Sequence, residues 1–138
     1  ECVAQLRPED TKPAMTLSTR LISTKRVLKG ERVGYAGTYT CPEDMPIGVA
    51  AIGYGDGYPR NIREKTPVLL NGQRVPVIGR VSMDLMALDL RAQPEAKAGD
   101  AVVLWGQGLP IEEIAEAAGT ISYELTCSIT RRVRFIEI

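Results

Sequence analysis

Apolar and polar positions alternate along the first long stretch of the chain. MTLSTRLISTKRVL, residues 15–28, alternates loosely and is rich in threonine, leucine, isoleucine and valine, as a strand with one solvated face is. Lys29, Gly30 and Glu31 then read as a turn, and RVGYAGTYT (32–40) as a second strand. A loop follows around Pro42 and Pro46. IGVAAIGY (47–54) is almost unbroken in its hydrophobicity, as expected of a strand covered on both faces, and GDGYPR (55–60) is turn chemistry. TPVLLNGQRVPVIGRVSMD (66–84) predicts a hairpin, because Asn71-Gly72 supplies the two positive φ values of a type I′ turn. MALDL (86–90) and AVVLWG (101–106) add short strands. The period changes at PIEEIAEAAG (110–119): Pro110 suits a first helical turn, the glutamates sit near the positive end, and Gly119 stops the helix. YELTCSIT (123–130) predicts a second short helix, and RRVRFIEI (131–138) alternates again. About seven strands with one or two short helices predict a mainly β domain, a barrel or a sandwich. The opening ECVAQLRPEDTKP is polar, carries two prolines and reads as linker, with a further segment expected upstream of it.

Composition narrows the function classes. The 138 residues are enough for one domain with its own core. Lysine plus arginine and aspartate plus glutamate number 17 each, so bulk charge selects neither nucleic acid nor a membrane surface. No apolar run approaches the ~20 residues of a membrane span, and no secretory leader opens the sequence. The cysteines stand at 2, 41 and 127, an odd number without C-x-x-C spacing, which argues against a disulfide framework or a zinc site and for a reducing compartment. Histidine is absent. Acid–base work would therefore fall to tyrosine, lysine, cysteine or a carboxylate.

Three stretches carry candidate chemistry. On a strand, VGYAGTY (33–39) would put Val33, Tyr35, Gly37 and Tyr39 on one face, with small residues leaving room beside the rings. Tyr35 is then either a core tyrosine with a satisfied hydroxyl or a phenol presented to a ligand. GYGDGYPR (53–60) is a weak phosphate loop, since no helix start or GK[ST] follows it; Tyr54, Tyr58 and Arg60 would line a pocket mouth. GRVSMDLM (79–86) is either a bulge capped by Asp84 or a set of backbone donors for an anion.

Taken together, VGYAGTYT, IGYGDGYPR, VIGRVSMD and ISYE, in this order and at these spacings, resemble the C-terminal domain of alanine racemase. The resemblance runs from about Pro13 to the last residue. It implies a Greek-key-like β-barrel with one or two short helices over residues 13–138, residues 1–12 being the remnant of an interdomain linker. The N-terminal TIM barrel of the family, with its cofactor-bearing lysine, would be missing. Lys12, Lys25, Lys29, Lys65 and Lys97 all lie in polar or turn contexts, so none replaces that lysine.

The resemblance further implies a bacterial, cytoplasmic isomerase that interconverts L- and D-alanine with pyridoxal 5'-phosphate, in D-alanine and peptidoglycan synthesis. Tyr35 would be the base on the L-alanine face. Met83 would offer its backbone N–H to the substrate carboxylate, with Ser82 standing where many relatives have cysteine. Tyr123 would hydrogen-bond the cofactor phosphate. Tyr54 would stand at the narrow entrance, with Arg60, Arg80 and Ile121 further out; Gly55 replaces a common alanine, and Asp56 would hold the turn. The implied partners are the chain's own TIM barrel and the second subunit of a head-to-tail homodimer, without nucleic acid, membrane or metal. The fragment alone would be inactive. A related pyridoxal-phosphate decarboxylase is disfavoured, since those enzymes generally use cysteine in the corresponding role; relatives acting on serine or other amino acids stay open. From another class, a non-catalytic β-barrel module for a small anionic ligand or a protein partner also remains.

Overall fold

A computed structural model describes residues 2–6, 15–34 and 37–137. Its strands are β1 (Val3–Leu6), β2 (Met15–Val27), β3 (Arg32–Val33), β4 (Tyr39–Thr40), β5 (Met45–Ala50), β6 (Pro67–Leu70), β7 (Gln73–Ile78), β8 (Met86–Asp89), β9 (Ala101–Trp105) and β10 (Arg134–Glu137). Two helices, α1 (Ile111–Ala118) and α2 (Ser122–Ser128), lie between β9 and β10, and Tyr54–Asp56 form one 3₁₀ turn.

Six strands close a barrel in the order β2-β5-β8-β7-β6-β9, with β9 returning to β2. Every ladder in it is antiparallel. Closure works because β2 is long. Its first half pairs with β9 on one edge and β1 on the other, and its second half pairs with β5. Irregularities between Leu17 and Ser18, and between Leu21 and Ser23, bend it at the change of partner. Beyond the barrel, β1 pairs in parallel with β10. Val3–Leu6, expected as linker, is thus a strand of the sheet; residues 7–14 lie outside the described residues.

The alternation in β2 has the predicted consequence: Leu17, Thr19 and Leu21 are buried while Arg20 and Ile22 are exposed. The main core gathers Leu17, Leu21, Leu70, Leu88, Leu104 and Trp105 inside the barrel. Ile114 of α1 and Leu125 of α2 join it from the helices. A smaller cluster of Val27, Val33, Cys41, Met45, Ile47 and Ile78 underlies the β3–β4 end. Arg74 on β7 grips Glu113 on α1 with both guanidinium nitrogens, Nη2 to Oε1 at 2.8 Å, which fixes α1 against the wall. The turn at Asn71 (φ 51°) and Gly72 (φ 82°) has the expected conformation, and Gly119 (φ 72°) ends α1.

Several expectations change. RVGYAGTYT is not one strand: Val33 pairs back on Tyr39, and Gly34 (φ 90°) and Gly37 (φ 60°) make the bend. IGVAAIGY is strand only as far as Ala50, and Pro46 lies inside β5 rather than in a loop. Pro110 caps α1 with extended ψ instead of opening its first turn. The described residues form ten strands rather than about seven, because short pairs such as β3–β4 carry no period to read.

Candidate functional site

The turn after β5 is held from both sides. A Cβ on Gly53 would fall 2.2 Å from Ser82 O, so only glycine allows these backbones to meet. The contact is stitched by Tyr54 N–H to Ser82 O (3.0 Å) and Gly55 N–H to Met83 O (2.9 Å). On the other flank Gly57 (φ 105°) packs against Ser128, where a Cβ would meet the carbonyl oxygen at 2.4 Å. Thr130 adds its N–H to Asp56 O (3.1 Å) and its hydroxyl to Gly55 O (2.8 Å).

Asp56 is the keystone of this turn. It is 4% exposed, and its Oδ2 accepts Gly53 N–H at 2.9 Å. Its Oδ1 lies 3.3 Å from Arg132 Nε, and the same guanidinium donates to Asp84. One arginine therefore joins the 53–57 turn to the 82–85 segment. Ser82, not Asp84, caps that segment: its Oγ accepts Leu85 N–H (3.0 Å) and donates to Leu85 O (2.9 Å).

These constraints set out the predicted site residues. Tyr54 is partly buried, with the Arg60 guanidinium 5.0 Å from its ring centroid, a cation–π contact. Met83 is 52% exposed; its carbonyl is engaged by Gly55, and its N–H has no acceptor among the described residues. The β3–β4 hairpin is pinned beside them. Gly34 touches Gly79, and Thr38 Oγ accepts Arg80 N–H at 2.9 Å. Tyr35 lies outside the described residues, but its neighbour Gly34 lines a cavity of about 260 Å³ together with Arg80, Ser82, Leu85 and Met86. Arg60 and Arg80 line an adjoining cavity of about 250 Å³.

Ile121 and Tyr123 line neither of these cavities. They stand exposed at the start of α2, whose last residue, Ser128, packs on Gly57. The Tyr123 phenol is raised above its ordinary pKa by a hydrogen bond with the Cys127 side chain one turn on.

The family profile described as "Alanine racemase, C-terminal domain" matches residues 14–137. The chain belongs to that family. Among curated relatives, the alanine racemase of Coxiella burnetii (strain CbuG_Q212) is 62% identical over 92% of this chain and 35% of its own length. That of Piscirickettsia salmonis is 53% identical over 92% of this chain and 76% of its own. The chain thus spans about a third of the first curated relatives it matches. Of solved structures, the biosynthetic alanine racemase of Pseudomonas aeruginosa superposes with a TM-score of 0.89 at 48% identity, over 92% of this chain and 36% of that one. The alanine racemase of Bartonella henselae, solved with covalently bound pyridoxal phosphate, gives 0.87 at 28% identity, over 95% of this chain and 37% of that one.

Within this alanine racemase domain, two features of the site escape sequence reasoning. Tyr58 was expected near a pocket mouth beside Tyr54. It is instead buried, its ring stacked on Trp105 at 6.1 Å between centroids, and burial pushes its phenol up. Arg132 stood in a run of alternating charge, and nothing in RRVR singles it out; only the fold shows it bridging Asp56 and Asp84. The signal available for the site was the glycines: Gly34, Gly53, Gly57 and Gly79 each mark a place where two backbones touch.

Proposed function

We propose that this chain is the C-terminal domain of an alanine racemase and that it contributes one face of a composite active site. The observation that carries the reading is the family match over residues 14–137, with 62% identity to a curated alanine racemase. That match ranks racemisation ahead of a binding module without chemistry. The remainder of the site would come from a TIM barrel and a second subunit paired head to tail.

The exposure of the chain's own groups suits the rim of a pyridoxal-phosphate site and not its anchor. Lys25, Lys29, Lys65 and Lys97 are all exposed, so no described lysine sits in the dry surroundings that would make it a nucleophile at neutral pH. Tyr123 presents its phenol at an exposed position, as a contact to a phosphate requires. The cofactor, when bound, spreads the charge left on the substrate α-carbon as its proton departs.

The chain's residues then divide the work. Tyr35 takes the proton from the L-alanine face and returns one to it; a phenol near pKa ~10 needs cationic neighbours to do this at neutral pH. Met83 N–H, left without an acceptor among the described residues, binds the substrate carboxylate. Tyr123 holds the cofactor phosphate. Tyr54 narrows the entrance while Arg60, Arg80 and Ile121 flank its outer part, and the Arg60–Tyr54 contact holds that ring in place.

The test uses the full-length protein in deuterium oxide, following α-proton exchange from each enantiomer. Tyr35→Phe should slow exchange from L-alanine by about 10²- to 10⁴-fold, the usual worth of a positioned base, and that from D-alanine much less. Equal losses would remove the face-specific role of Tyr35. Absence of racemisation in the unmutated protein would remove the family reading of its activity.

A further inference from the structure

The cavity of about 250 Å³ between the β3–β4 hairpin, the segment before β6 and the end of β7 has an unusual charge. Its lining holds Arg60, Arg63, Lys65 and Arg80 against one acid, Glu64. The chain as a whole is neutral, with 17 charges of each sign, so this local excess of cations is a feature of the cavity and not of the composition. Among the described residues, most of this positive charge has no carboxylate partner. Among the described residues, Lys65, Arg60 and Arg80 have no carboxylate within ion-pair distance, and Arg63 reaches Glu116 only at 3.8 Å. Lys65 also adopts φ 63°, a conformation that a side-chain-bearing residue rarely holds without cause. The segment around it is tied down by Arg63 N–H to Ala117 O (2.9 Å) and Thr66 N–H to Arg63 O (3.3 Å), so the lysine is presented from a fixed turn.

We infer that this cavity is a binding site for a small dianion of the oxyanion class, held by Arg63, Lys65 and Arg80. The volume accommodates a phosphate or a short dicarboxylate, and several cations lining one recess raise the local concentration of such ions. Arg80 also lines the neighbouring cavity with Gly34 and Ser82. An anion in the basic cavity therefore competes for Arg80 with whatever enters beside Gly34. The cavity shares Arg60 and Arg80 with the substrate entrance proposed above, and the inference rests on the lining charge that Arg63 and Lys65 add to it.

Titration of the 138-residue chain with inorganic phosphate and, separately, with malonate tests it, read by amide chemical shifts with sodium chloride at matched ionic strength as control. Saturable shifts confined to residues 60–66 and 77–80 are expected with at least one of the two dianions, and which of them saturates at lower concentration identifies phosphate or dicarboxylate as the better ligand. Arg63→Gln and Lys65→Gln should each weaken binding by about two- to fivefold, the worth of one exposed charge, and the pair together more. Shifts that never saturate, that chloride reproduces, or that persist in the double variant would show screening of surface charge only and overturn the site.

Discussion

Gly34 and Gly79 meet backbone to backbone: a Cβ on Gly34 would lie 2.8 Å from Gly79 Cα, and one on Gly79 would lie 2.9 Å from Gly34 Cα. Both residues have positive φ, 90° and 71°. The contact fixes the base of the β3–β4 hairpin against the segment that leads from β7 to Met83. Alanine at either position meets a steric wall and a disfavoured backbone conformation together. Gly79→Ala should lower the stability of the domain by about 2–4 kcal/mol, measured by urea denaturation. A loss under half a kilocalorie would mean that the two segments are not in contact.

Asp56 should matter to stability more than its place in a loop suggests. Removing its carboxylate leaves the buried Gly53 N–H without an acceptor and Arg132 without one of its two partners. Asp56→Ala is expected to cost about 1–3 kcal/mol, mostly the unmet donor. Asp56→Asn keeps an acceptor for Gly53 and should cost less. Equal costs for the two variants would shift the weight to the ion pair.

The three thiols should separate by reactivity. Cys127 is exposed, whereas Cys2 and Cys41 are buried. Burial, with the Asp56 charge nearby adding to it, pushes the Cys2 thiol up to about 11, and burial raises Cys41 as well. At pH 8 only about one part in a thousand of Cys2 would be thiolate, the reactive form. An aromatic disulfide reagent should therefore titrate a single thiol quickly in the native chain and all three in denaturant. Cys127→Ala should abolish the fast phase. A second fast thiol would contradict the packing of Cys2 under Ala51, whose carbonyl accepts the thiol hydrogen at 2.9 Å.

The chain by itself should not racemise alanine. Its described lysines are all exposed, so none offers the desolvated amine that a covalent cofactor anchor needs. Incubation with L-alanine and pyridoxal phosphate, followed by chiral chromatography, should show no D-alanine above the cofactor-only control. Turnover above that control would mean that the composite-site reading is wrong.

How much of this was legible in the sequence depends on what a residue contributes. Period-two alternation in the first half of β2, the Asn71-Gly72 turn and the Gly119 helix stop are local signals, and the fold follows them. The bend at Gly34 and Gly37 was misread as strand, because glycine says that a conformation is permitted without saying which one is used. Val3–Leu6 looked like linker because it is held between residues 15–18 and residues 134–137, the latter at the far end of the sequence. Tyr54 and Tyr58 sit in near-identical Gly-Tyr contexts, yet one is half-open under Arg60 and the other is sealed against Trp105. A four-residue offset around a 3₁₀ turn decides between them, and no local pattern reports it. The placement of Met83 beside the 53–57 turn was not legible; its cause is the Gly53 contact, visible only in three dimensions.

The length of β2 has a mechanical corollary. Sliding this strand by a single position would expose Leu17 and Leu21 and would break its alignments with β1, β5 and β9 in the same event. Three independent neighbours thus veto every alternative alignment. The hairpin that begins five residues beyond the strand is consequently delivered to one fixed height on the wall.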